Sequence, residues 1–127
     1  MKFNRYKFFS IIFSIAILAI ASTSQASQTN EVLLGAMSPF EDMIESALAG
    51  NGTDVSKALT AADQQSKSVK TTLPASAAEK FTALMDVLHK AVRSKNSYKT
   101  ATYATDIFRL LAENLQVDSL DVPKEVS

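Results

Sequence analysis

The chain has 127 residues, with 13 Lys plus Arg against 13 Asp plus Glu, one His, no Cys and no Trp. That length sets a single modest domain, and the balanced charge lacks the basic excess of a dedicated nucleic-acid binder. Without cysteine there is no disulfide scaffold, thiol catalysis or cysteine-ligated metal centre, and one imidazole leaves little for acid–base or metal chemistry.

The N-terminus carries Lys2, Arg5 and Lys7, then the apolar run from Phe8 to Ile20, then the small and polar stretch from Ala21 to Ala26. This order is that of a secretory signal peptide. The apolar core, about 13 residues, falls short of the roughly 20 that a spanning helix needs. Ser24 and Ala26 supply the small residues expected at positions −3 and −1 of a signal-peptidase site, so residues 1–26 read as the signal and cleavage is expected after Ala26. The product is expected to be periplasmic or secreted, with no membrane association after cleavage. The signal takes three of the 13 basic residues and none of the 13 acidic ones, leaving 10 against 13 and a net charge of about −3.

From Asn30 onward the apolar residues recur three and four apart, which predicts amphipathic helices, and they never alternate for long at a period of two. The first stripe is Leu33, Met37, Phe40, Ile44 and Ala47, widened by Leu34 and Leu48, and Gly50 to Gly52 end it. Pro39 lies inside that stripe. Ser38, Pro39 and Glu41 match a helix start, yet the stripe keeps its register through Pro39, and Gly35 four residues back would relieve the proline's clash. The expectation is a first helix kinked or broken at Pro39, with both halves on one core.

The second stripe, Val55, Leu59, Ala62, Ser66, Val69 and Leu73, follows a cap at Thr53 or Asp54 and stops near Thr72, because Pro74 pushes Leu73 out of helical space. Ser76 and Glu79 suggest a capping box for the third stripe, Phe81, Leu84, Met85, Leu88, Ala91 and Val92. Ser94 to Ser97 form a turn in which Asn96 suits a left-handed conformation and Ser97 a cap. The fourth stripe is Ala101, Ala104, Phe108, Leu111 and Leu115, widened by Ile107 and Leu110.

Four such segments with short connections predict an all-α, up-down-up-down four-helix bundle over residues 27–117, followed by an acidic loose tail over 118–127. In that topology Lys90, Arg93, Lys95 and Lys99 lie at the pole opposite the start of the first helix.

Asp86 and His89, three apart on one helix, are the candidate metal pair, although they fall beside the apolar stripe and no second pair accompanies them. Glu41, Asp42 and Glu45 form an acidic patch that suits either a cation or the first turn of a helix starting at Ser38. Met37, Met43 and Met85 read as core side chains. Asn51-Gly52-Thr53 is a glycosylation sequon in a glycosylating host and otherwise a turn. A hydroxyl nucleophile has no locally spaced base, and residues 27–127 contain only Gly35, Gly50 and Gly52, too few for a phosphate loop. No catalytic residue is expected.

The run Val55-Ser-Lys-Ala-Leu-Thr60 after a polar turn, and the pattern from Phe81, give residues 30–116 a layout that resembles the soluble b-type cytochromes of the bacterial periplasm. The resemblance implies a four-helix bundle and haem held between a Met near the start of the first helix and a His near the end of the last. Met37 lies near the first position, while Asn114, Leu115 and Gln116 supply no His at the second; the sole imidazole is His89. Met37 and His89 are therefore the candidate haem residues. Two functions are expected: a small exported bundle that binds a protein partner without catalysis, with the thin middle of the second helix at Ala62 and Ser66 as a docking surface or a seat for Phe81 or Phe108, or a haem or metal carrier.

Overall fold

The computed structural model describes residues 25–116. They form four α-helices with no strand among them: α1 Gln25–Leu48, α2 Gly52–Thr72, α3 Ala75–Arg93 and α4 Ser97–Glu113. The connections are three, two and three residues long, so consecutive helices run antiparallel. The all-α four-helix bundle is the fold. Residues 1–24, including Ser24, and the tail from residue 117 lie outside the described residues. Ala26 falls in the first turn of α1, and cleavage after it would leave residues 27–48 of that helix.

α1 packs most extensively, against α2 and α4; α3 packs against α4 and least closely against α2. The helices thus form a ring, with α1 and α3 on one diagonal and α2 and α4 on the other. Alanines at 58, 62, 101 and 104 are buried in α2 and α4, the two helices that pack most extensively on α1. The bulk of the core comes from Leu33, Phe40 and Met43 of α1, Val69 of α2, Phe81 and Leu88 of α3, and Ile107 and Leu111 of α4.

The stripes hold at their centres and shift at their edges. Leu34 and Leu48 do not widen the first stripe: they are 50% and 73% exposed, and Ala36 and Met43 take the buried positions instead. Phe108 lies on the flank of α4, half-buried, while Ile107 and Leu110 enter the core. Leu115 comes after the end of α4 and packs against the core from there.

Pro39 does not break α1. The helix runs unbroken through it, with Pro39 itself buried. A proline inside a helix costs about 3 kcal/mol because it removes an N–H and crowds the carbonyl four residues back. That carbonyl belongs to Gly35, which is exposed and has no side chain to add to the crowding. Leu33 and Phe40 flank the site, 0% and 1% exposed, and each such burial contributes about 1.5–3 kcal/mol, so together they offset the loss.

The caps differ from those expected. Asn51 caps α2, its side-chain oxygen accepting from the Asp54 N–H at 3.1 Å, in place of Thr53 or Asp54. At α3 there is no capping box: Pro74 is the cap residue, without a side-chain bond, and Ser76 and Glu79 are already inside the helix. Pro74 fixes the entry geometry by its ring, and its carbonyl accepts from Ala78 at 2.8 Å. At α4 the roles move back by one residue. Lys95 takes the left-handed conformation, with φ of 57°, and Asn96 caps by accepting from Lys99 at 3.0 Å. The stop at Thr72 is as expected, with Leu73 extended.

Candidate binding pole

Two turns of the same construction meet at one end of the bundle. Where α1 stops, Gly50 is left-handed with φ of 74°, its N–H donates to the Ala47 carbonyl at 3.1 Å, and the Asn51 N–H donates to Ser46 at 2.8 Å. Where α3 stops, Lys95 donates to Val92 at 3.0 Å and Asn96 to Ala91 at 3.0 Å. Both are Schellman endings, which satisfy the last carbonyls of a helix by a left-handed residue. In each the next residue is an Asn that caps the following helix. Glycine takes the left-handed position without penalty; a lysine there costs about 1 kcal/mol.

Between the turns lies a cleft of 540 Å³, lined by Gly50 to Thr53, Val55 and Ser56 on one side and by Val92, Lys95, Ser97 and Thr100 on the other, with Ala47 beneath. The size is within the range of small-ligand sites. The N-termini of α2 and α4 both open on it, and no carboxylate lines it. Leu48, the last residue of α1, and Tyr98, in the first turn of α4, are the large exposed apolar side chains of this pole, at 73% and 78%, though neither lines the cleft itself. Lys90 and Arg93 lie in the last turn of α3 and Lys99 in the first turn of α4, so the basic group is at this pole, as the topology required.

The other candidates lie elsewhere. Asp86 and His89 do not pair with each other. His89 Nε2 is 2.8 Å from Asp63 Oδ1 of α2, and Asp86 forms an exposed ion pair with Lys90 at 3.5 Å. With side chains 33% and 43% exposed, the His89–Asp63 contact is a surface interaction worth about 0–1 kcal/mol. It edges a shallow cleft of 250 Å³ between α2 and α3, where Ser66 and Phe81 also line the wall. At the thin middle of α2, Ala62 is buried and Ser66 lines this cleft beside Phe81.

Met37 is buried in α1, on the diagonal from α3 and His89. Met43 and Met85 are core residues too. Because α1 is continuous, Glu41, Asp42 and Glu45 are mid-helix, and the dipole of a first turn no longer accounts for them. Asp42 and Glu45 instead line an open groove of 650 Å³ between α1 and α2, with Lys57 and Asp54 opposite. Among the described residues no group of three or more His, Cys, Asp or Glu is placed to hold a metal ion. Nor is any helix among them long and apolar enough to cross a membrane.

The two-turn cleft escaped sequence reasoning, although Gly50-Asn51 and Lys95-Asn96 were a signal for it. Each pair sets a left-handed residue before an Asn cap, once at the end of α1 and once at the end of α3. Fold and geometry together define a small four-helix bundle with a cleft between two like turns at one pole. No protein-family model, curated protein or solved structure matches the chain.

Proposed function

We propose that the chain is a small exported binding protein that engages a protein partner through the pole formed by the two turns and performs no chemistry itself. One observation carries the reading. Leu48, ending α1, and Tyr98, in the first turn of α4, are both largely exposed at the pole that also bears Lys90, Arg93, Lys95 and Lys99. Tyr and Arg are among the residues that most often carry the binding energy of protein interfaces, and Tyr98 and Arg93 are at this pole. Export rests on the N-terminal 26 residues, and sequencing the N-terminus of the exported product should give Ser27 first.

The alternative, a haem or metal carrier, has less support. His89 Nε2 is already engaged by Asp63, and Met37 is on the diagonal helix.

The test compares the tagged mature chain with its Leu48→Ser, Tyr98→Ser variant in recovery of proteins from the exported fraction. Both positions are largely exposed, so melting should be unchanged within about 0.5 kcal/mol per substitution. A protein retained by the parent and lost from the variant is the expected result. Identical recovery from both would remove the reading.

A further inference from the structure

The geometry points to the cleft between the two turns as a carboxylate-capture site, shaped for the C-terminus of a peptide that ends in a small apolar residue. This rests on the reading of that pole as the partner-binding surface.

Helix N-termini leave their first N–H groups without helical partners. In α2 the Asn51 side chain takes the Asp54 N–H, and in α4 the Asn96 side chain takes the Lys99 N–H. Gly52, Thr53 and Ser97 come before those capped positions, and all three line the cleft. Two helix dipoles therefore present their positive ends to one space, and Lys95 adds a full charge. Asp54, the acidic residue in the first turn of α2, does not oppose them there. It lines the groove between α1 and α2, with Oδ2 accepting from Asn51 Nδ2 at 2.8 Å.

Thr100 is the independent observation. It is 2% exposed, and its hydroxyl has no hydrogen-bond partner among the described residues. Yet no side-chain oxygen among them is both sealed from solvent and unpaired. The hydroxyl must then open on the cleft that Thr100 lines. A buried hydroxyl left free beside unpaired amides is a donor waiting for an acceptor.

The apolar part of the site selects among oxyanions. Ala47, Val55 and Val92 give the cleft a small apolar wall, which suits a short aliphatic side chain next to the charge. One lysine and backbone amides match a singly charged carboxylate, a known use of such backbone nests.

The test is a titration of the mature protein, followed by backbone amide NMR shifts, with N-acetyl-alanyl-valine as the free acid and as the amide. The free acid should move Gly52, Thr53, Ser97 and Thr100 saturably, and the amide should not. Lys95→Gln and Thr100→Val should each weaken the acid by about tenfold, whereas Lys67→Gln on the outer face of α2 should leave it unchanged. Equal binding of the amide, or shifts that spread without saturation, would overturn the assignment. Lys95 is exposed, so its variant tests the site even if Thr100→Val fails to fold. Failure here with loss of the partner in the Leu48→Ser, Tyr98→Ser variant would remove the carboxylate site and leave the pole standing.

Discussion

Asn30 and Gln116, 86 residues apart, exchange two hydrogen bonds: Asn30 Nδ2 donates to the Gln116 carbonyl at 3.0 Å, and the Gln116 N–H donates to Asn30 Oδ1 at 2.6 Å. Asn30 is 5% exposed. The pair ties an early turn of α1 to the chain leaving α4 and closes the ring of helices at the pole away from the cleft. An amide side chain supplies donor and acceptor together, so it can clasp a backbone N–H and C=O at once.

Asn30→Ala should therefore destabilise the bundle by about 1–3 kcal/mol, because it strips both partners from a part-buried backbone unit. In a domain of this size about 1 kcal/mol lowers the melting temperature by roughly 4–8 °C. Thermal denaturation followed by circular dichroism checks this; an unchanged melting temperature would mean that the clasp adds nothing.

Lys95 should give a variant that separates stability from binding. With φ of 57°, Lys95→Gly is expected to stabilise the protein by about 1 kcal/mol, while Gly50→Ala, at φ of 74°, is expected to cost about as much. The same Lys95→Gly variant should bind the free-acid dipeptide less well. A stabilised variant with undiminished binding would show that the left-handed lysine serves no ligand.

Pro39→Ala should raise stability by about 1 kcal/mol. It restores an N–H that can donate to the Gly35 carbonyl, and the regained bond outweighs the packing that the buried ring provides. Chemical denaturation measures the change. A fall in stability would mean that the buried ring contributes more than the helix bond.

Haem titration addresses the carrier alternative. His89 contacts Asp63 at the surface and Met37 is buried in the diagonal helix, so added haem should give no Soret band that depends on His89. A sharp band abolished by His89→Ala would establish the alternative.

The bundle was legible because burial follows period. Leu33, Phe40, Phe81, Leu88 and Leu111 recur at helical spacing, and each is buried as that spacing requires. Stripe edges were less legible, since an apolar side chain such as Leu34 or Leu48 is tolerated in solvent and Ala36 gives little hydrophobic signal. Caps were misplaced where several capping residues stand together: Asn51 and Asn96 won over Thr53, Asp54 and Ser97 because a left-handed residue just before each turns its side chain toward the next helix. The partner of His89 was invisible, for Asp63 is 26 residues away and on another helix. The cleft needed the fold as well, because its two walls come from opposite halves of the chain.

Site-specific photo-crosslinking in the producing cells tests the central claim most directly. With the crosslinking residue at position 98, in the first turn of α4 at the pole that bears the cleft, a discrete adduct to a protein of the exported compartment should form, and none should form from position 67 on the outer face of α2. Adducts that are absent at 98, or the same from both positions, would contradict the account.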